Sequence, residues 1–275
     1  MTPLLAAIVL GVVEGLTEYL PVSSTGHLIL AGWLLGFDQM VGVEVAHMFE
    51  VFIQLGAILA VIAAFPHRFA GLWPQRQSEG FAGLRGLVLL LLATLPAALV
   101  GLALHKQIKA DLFHPFTVAI GLAAGAVWIL VLEAWKARHT SPWRRGSVDA
   151  LRWGDALAIG LFQCLALWPG MSRSSSTILG AMMIGVERKA ATEFSFFAAV
   201  PLLAAAAIFD LGKTLPILRA EHVPLLAAGL GVSFVFAFLA VKLFIRFVAR
   251  HSLVAFGWYR LAVAGAVAVA AWWGL

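Results

Sequence analysis

Gly86–Leu104 reads GLVLLLLATLPAALVGLAL, an uninterrupted apolar run without a charge. A membrane-spanning helix needs roughly 20 mostly apolar residues. Pro115–Leu132 and Val223–Val241 are equally clean. Val51–Phe65 and Phe194–Phe209 are shorter, uncharged and extendable at their N-terminal ends, and Val254–Leu275 carries only Arg260. These segments predict about six spans, with Arg260 either snorkelling or held in an internal pocket. Composition excludes a soluble alternative. Charged residues make up 12% of the chain, against roughly 25% in average soluble domains. No stretch is polar enough for a separate unit, so residues 1–275 read as a single integral membrane domain.

The net charge of +5 sits between the apolar runs, where it orients a chain in a bilayer. That placement argues against nucleic-acid binding. The single Cys164 has no cysteine partner for a disulfide or a metal site. The apolar N-terminus lacks a basic leader, and Glu14 and Glu18 stand where a cleavage site would be, so it reads as part of the membrane domain.

Two apolar regions break the span rule. Leu4–Phe37 is interrupted by Glu14, Glu18, Pro21, Ser23-Ser24-Thr25-Gly26 and His27. Trp153–Val186 is interrupted by Pro169-Gly170, Arg173 and the serines around it. Irregular backbone at membrane depth survives only where protein or a wet cavity satisfies it. Each region therefore reads as a re-entrant helical hairpin. Aligning Pro21 with Pro169 makes the two interruptions resemble each other, and a Phe-x-x-Phe helix follows each (Phe49/Phe52 and Phe194/Phe197). The expected fold is an all-α polytopic membrane protein with an inverted-topology repeat, residues 1–135 and 150–275 forming its halves.

Loop charge gives the same answer. Arg68, Arg76 and Arg85 precede the two spans Gly86–Leu104 and Pro115–Leu132, and Lys136, Arg138, Arg144, Arg145 and Arg152 follow them. Both loops must lie on one side, cytoplasmic by the positive-inside rule. Arg246 and Arg250 put their loop on that side too. The first hairpin then enters from outside and the second from inside.

The chemistry-bearing residues fall in the interruptions. Glu14 and Glu18 share a helix face, and intramembrane acids are costly. They read as a structural pair, or as a carboxylate site with a proton or a divalent cation. Glu18, one turn nearer the serine loop, is the better candidate for direct work. Ser23, Ser24, Thr25 and Gly26 with His27 offer hydroxyls and an imidazole: a polar turn, or a site where a hydroxyl is the nucleophile or, with Ser23, Thr25 and Gly26, binds the phosphate of a substrate, and His27 is acid, base or nucleophile. Ser172, Arg173, Ser174 and Thr177 open an apolar helix, where N–H groups and a guanidinium suit a phosphate. Arg173 also has the option of pairing with Glu14 or Glu18 at rest. His47, Glu50 and Gln54 lie along a helix entering the same region and read as support behind the site.

Glu14-Gly-Leu-Thr-Glu18-Tyr-Leu-Pro-Val-Ser-Ser-Thr-Gly-His27 and Pro169-Gly-Met-Ser-Arg173-Ser together resemble the undecaprenyl-diphosphate phosphatase, or bacitracin-resistance protein, family of bacteria. Phe49–Gly56, Gln163–Pro169 and Glu193–Pro201 extend the resemblance, which runs nearly the whole chain. One departure is Ser175-Ser176, where small Gly and Ala are expected. The resemblance implies a multi-pass inner-membrane hydrolase that removes the terminal phosphate of undecaprenyl diphosphate. Such an enzyme recycles the lipid carrier for cell-wall synthesis and confers bacitracin resistance. It also implies Mg²⁺ or Ca²⁺ dependence and paired re-entrant hairpins.

On this view Arg173 and the Ser172–Ser174 amides hold the diphosphate, and Glu14 and Glu18 carry a cation or a proton. Ser24, His27 or an activated water attacks the terminal phosphorus. The pocket opens to the periplasm, the partners are a polyprenyl diphosphate lipid and the bilayer, and a homodimer stays open. A lipid-phosphate transporter would share the architecture; release of phosphate separates the two. A non-catalytic scaffold would not explain the buried Glu, His and Arg set.

Overall fold

The structure, a computed structural model, describes residues 1–73, 79–112, 114–139, 143–214 and 218–274. Arg76, one of the expected loop charges, lies outside them. The helices are α1 (Pro3–Thr17), α2 (Ser24–Leu35), α3 (Phe37–Val41), α4 (Val43–Ala64), α5 (Pro66–Ala70), α6 (Gly83–Ala103), α7 (His105–Asp111), α8 (Pro115–Arg138), α9 (Trp153–Gln163), α10 (Arg173–Met183), α11 (Arg188–Thr214), α12 (Val223–Val248) and α13 (Val254–Trp272). Six of them, α4, α6, α8, α11, α12 and α13, are long and apolar enough to cross a membrane, as the apolar runs predict.

The helices outrun the apolar segments. α4 begins at Val43, well before Val51, and α8 continues past Glu133 to Arg138. Backbone hydrogen bonding does not stop at a charged side chain when that side chain is paired. Glu133 binds Arg188 through both oxygens, at 3.0 and 2.6 Å, and accepts the Leu253 amide at 2.9 Å.

α1 packs on α12, α4 on α12 and α11, α9 on α6, and α13 on α8. Gly11 and Gly15 make the first of these contacts possible. A Cβ at Gly11 would lie 2.7 Å from the Gly229 carbonyl oxygen, and one at Gly15 would lie 2.5 Å from that of Ser233. Small residues on one helix face let backbones approach in this way. The pairing also fixes direction: α1 and α12 run the same way. Gly160 does the same for α9, where a Cβ would lie 2.6 Å from the Leu92 oxygen of α6.

One end of the bundle gathers the loops. Asp149 accepts two bonds from Arg68, at 2.7 and 2.9 Å, and one from the Phe81 amide at 2.8 Å. The Arg68 guanidinium on Asp149 holds its carboxyl below the usual range. Arg85 donates to Leu151 O at 2.5 Å and also to Gly80 O. These contacts put the loop after α5 and the loop after α8 side by side, as the charge pattern requires. The amides of Arg144 and Arg145 donate to Gly185 O just past α10, at 2.7 and 3.2 Å, and Arg145 pairs with Asp155 of α9 at 2.8 Å. α9 therefore begins, and α10 ends, at this end. The Glu133–Leu253 bond brings the α12–α13 turn there too.

Candidate functional site

The turns α1–α2 and α9–α10 meet inside the bundle, and each is shaped by a serine in a conformation that L-residues rarely adopt. Ser23 has φ 71° and Ser172 has φ 72°, the non-glycine residues with positive φ among those described. Both are helix N-caps: Ser23 Oγ accepts from the Gly26 amide at 3.5 Å, and Ser172 Oγ from the Ser175 amide at 3.2 Å. Strained backbone of this kind persists only where its surroundings fix it. The two caps also correct the proline alignment. The serines are 172 − 23 = 149 apart and the prolines 169 − 21 = 148. In cap register, Ser24 is the counterpart of Arg173, each the first residue of its helix.

Those two counterparts share one carboxylate. Glu18 accepts the Ser24 hydroxyl at 2.6 Å through Oε2, and Arg173 Nη2 at 2.9 Å through Oε1. Glu18 is 7% exposed and the Arg173 side chain 9%. The resting ion pair that the sequence allowed is thus present, and it is with Glu18. Arg173 Nη1 is anchored on α11 by the Ser195 carbonyl at 3.0 Å and the Ser195 hydroxyl at 3.4 Å. Its guanidinium carbon lies 5.4 Å from the ring centre of Tyr19, a cation–π contact. Its Nε is buried without an acceptor among the described residues.

The remaining hydroxyls mainly build the frame. Ser174 Oγ donates to Leu20 O at 2.7 Å, tying the second turn to the first. Thr177 Oγ1 lies 2.6 Å from Ser195 Oγ and donates to Arg173 O at 2.9 Å. Ser176 bonds back to Ser172 O at 2.9 Å, while the Ser175 hydroxyl is buried without a partner among the described residues; these two positions are where the sequence departs from the small Gly and Ala that the resemblance leads one to expect. The amides of Arg173 and Ser174 have no acceptor among the described residues, so the helix end keeps free N–H groups for an anion. Thr25 makes no side-chain hydrogen bond among the described residues, and Gly26 is held close to Leu122, 3.0 Å from a Cβ built on it.

His27 is placed differently from Ser24. Its Nδ1 lies 2.8 Å from Ser23 O, and its Nε2 lies 2.7 Å from the Tyr259 hydroxyl on α13, with the two rings stacked. A carbonyl only accepts, so a neutral imidazole carries its proton on Nδ1 and accepts from Tyr259. Both ring nitrogens are engaged, and neither bonds to Ser24 or Glu18. His27 thereby holds the strained Ser23 turn against α13.

Glu14 is fully buried, and neither of its carboxylate oxygens has a hydrogen-bond partner among the described residues. It lies within electrostatic reach of Glu18 and Glu50. Glu50 also stands 3.8 Å from His47 Nδ1, and a Cβ at Gly32 of α2 would come within 3.9 Å of Glu50 Oε1. Gln54 is half-buried one turn on. Among the described residues no group of three or more His, Cys, Asp or Glu converges as a metal cage.

Sequence reasoning missed two parts of this site. Ser195 anchors Arg173 from α11. Arg260, fully buried, donates to Pro21 O at 3.4 Å, Gly170 O at 2.9 Å, Met171 O at 3.0 Å, Gly121 O at 3.2 Å and Leu122 O at 3.2 Å. One guanidinium thus spans both turns and α8, so of its two expected positions the internal pocket is the one it occupies.

Residues 7–266 match the family model described as bacitracin resistance protein BacA. The chain is 51% identical to an undecaprenyl-diphosphatase of Solidesulfovibrio magneticus, covering 97% of this chain and 98% of the relative. It is 52% identical to one of Nitratidesulfovibrio vulgaris, covering 96% and 97%. It is 47% identical to one of Acidovorax ebreus, covering 99% and 96%.

Proposed function

Because the chain belongs to the bacitracin resistance protein BacA family, we infer that it is an undecaprenyl-diphosphatase. It releases inorganic phosphate from undecaprenyl diphosphate and returns the monophosphate carrier to cell-wall synthesis, an activity that raises resistance to bacitracin. It is a multi-pass membrane protein.

The observation that carries the site assignment is the Glu18 carboxylate bridging Ser24 and Arg173, at 2.6 and 2.9 Å. An incoming diphosphate competes with Glu18 for Arg173. The guanidinium turns toward the phosphate oxygens, pivoting on its Ser195 anchor, and the amides at the start of α10 receive the same headgroup. Glu18 is then free to take the Ser24 proton. The Ser24 oxygen bonds to the terminal phosphorus as the bond to the bridging oxygen breaks, and undecaprenyl phosphate leaves. The leaving undecaprenyl phosphate takes the Ser24 proton back from Glu18. Water then attacks the phosphoserine and gives its proton to Glu18, which passes it to the Ser24 oxygen as the bond between that oxygen and phosphorus breaks, releasing inorganic phosphate and regenerating Ser24 and the Glu18 carboxylate. Arg173 faces the charge that develops on the equatorial oxygens. His27 positions the turn from which Ser24 projects. Ser24 is therefore favoured over His27 as nucleophile.

The orphaned Glu14 carboxylate fits a divalent cation. Glu14 and Glu18 would hold Mg²⁺ or Ca²⁺, with hydroxyl, water and phosphate oxygens filling the other positions, the way Mg²⁺ binds in many phosphate sites. Such an ion supplies neutralisation of the diphosphate charge beside two carboxylates.

In the bilayer, α1–α2 and α9–α10 form the two re-entrant hairpins of an inverted repeat. Exchanging α1 with α9 and α12 with α6 maps the α1–α12 packing onto α9–α6, which supports this reading. The basic loop end is cytoplasmic by its charge, and the pocket opens to the periplasm with the acid-bearing hairpin.

The test is phosphate release from a prenyl diphosphate by the purified protein, with and without EDTA. Release that EDTA abolishes and Mg²⁺ or Ca²⁺ restores is expected. Substrate binding without any release would make the protein a lipid-phosphate carrier instead.

A further inference from the structure

A groove of about 1210 Å³ runs from the α12–α13 turn to the α1–α2 turn, where Thr17, Leu20 and Val22 line it beside Glu18 and Tyr259 lines it beside His27. It exceeds the ~300–1,000 Å³ of pockets that hold compact ligands. Its two ends differ in chemistry. At the loop end it is lined by Lys189, Arg246, Arg250 and His251, and among the described residues no Asp or Glu lines it. Arg246, in the last turn of α12, and Arg250, just past its end, are exposed and have no ion pair among the described residues, whereas Lys189 pairs with Glu193 at 3.9 Å. Towards the interior the walls turn apolar, with Ala240 and Leu243 on α12 and Leu20 and Val22 at the α1–α2 turn.

A solvated patch would not need the apolar trough, and a span packed against lipid tails would not need four basic groups at its mouth. The pairing of both fits an amphiphile whose anionic head lies level with the loop end and whose chains reach mid-depth. The loop end also carries the Arg68–Asp149 and Glu133–Leu253 contacts, so the groove mouth sits where the chain meets the headgroup layer. We propose that this groove is a binding site for an anionic glycerophospholipid of the leaflet at the loop end, its phosphate held by Arg246 and Arg250. The proposed phosphate-holding groups, Arg246 and Arg250, are separate from Glu18, Ser24 and Arg173, while Leu20 and Tyr259 at the inner end of the groove adjoin that site.

The experiment is native mass spectrometry of the full-length protein with phosphatidylglycerol and phosphatidylcholine offered in equal amounts. The wild type should retain phosphatidylglycerol preferentially. Arg246→Gln/Arg250→Gln should weaken that retention about 30-fold, the scale expected for two cations at a membrane surface, whereas the double lysine variant keeps most of it. Phosphate release by the glutamine variant in neutral detergent should equal the wild type, which shows that it is folded. Equal retention of the two lipids by the wild type overturns the proposal, whatever the variants do. So does a folded glutamine variant that keeps phosphatidylglycerol, or undecaprenyl phosphate displacing phosphatidylglycerol from the wild type at equal concentration.

Discussion

Arg260→Lys should loosen the site without touching any reacting group. The guanidinium makes five bonds to backbone carbonyls from three nitrogens, the shortest at 2.9 Å to Gly170 O and 3.0 Å to Met171 O. A lysine has one nitrogen with three protons, on a shorter reach. At least two of the five carbonyls must lose their donor. Each buried, unbonded carbonyl costs about 1–3 kcal/mol, so the loss is about 2–6 kcal/mol. At roughly 2–4 °C per kcal/mol for a domain of this size, the melting temperature should fall by at least about 4 °C. Activity should fall further than stability alone dictates. Pro21 O belongs to the Ser24 turn and Gly170 O to the Arg173 turn, so weakening the clamp lets the two drift apart. A displacement of about 1 Å between reacting groups costs on the order of 100-fold in rate. The assay is thermal unfolding of the purified protein followed by tryptophan fluorescence, beside phosphate release well below the transition. Wild-type melting and turnover in Arg260→Lys would refute the clamp.

Arg173→Lys should keep the charge but lose the fork that serves Ser195 and Glu18 together; turnover should fall about 100–1,000-fold, and near wild-type turnover would remove the phosphate-holding role. Tyr259→Phe deletes one hydrogen bond to His27, worth about 0.5–1.5 kcal/mol, so phosphate release should drop only about 2–10-fold; a thousand-fold loss would make Tyr259 part of the chemistry. Asp149 has its carboxyl held below the usual range by Arg68, so its contribution to stability is present above the unfolded value near pH ~4 and is lost as pH falls through the folded value. Melting profiles against pH should therefore show a shallower acid limb in Asp149→Asn, and an unchanged slope would show that the Arg68 pair carries no stability.

Much of this architecture was legible because bilayer burial imposes a length and a composition on each span. Gly86–Leu104 and Val254–Leu275 match α6 and α13 to within three residues at either end. The two interrupted regions stood out for the same reason, since Glu14, Glu18 and Arg173 have no place in an ordinary span. The misses have a common cause. Ser195 and Arg260 act on groups far away in sequence, 22 residues for Arg173 and 239 for Pro21. No spacing rule links such positions, and a serine in a Phe-rich helix looks like packing. The capping serines put the α1–α2 and α9–α10 turns one residue off the proline alignment, because proline is conspicuous in a sequence whereas the positive φ that shapes each turn is not. Ser24 and His27 stand three residues apart, and the sequence favours Ser24 only slightly as nucleophile, a hydroxyl at a loop tip beside the carboxylate of Glu18. Only the position of Tyr259 shows the imidazole to be fully engaged.

The central claim is that Ser24, with Glu18 as its base, attacks phosphorus. Rapid acid quench of the enzyme with undecaprenyl diphosphate labelled in its terminal phosphate tests it most directly, followed by mapping of the labelled peptide. The account predicts an acid-stable phosphoserine at Ser24, absent in Ser24→Ala and scarcely formed in Glu18→Gln. Acid-labile label on His27, or full turnover with no label on the protein at any time point, would contradict it.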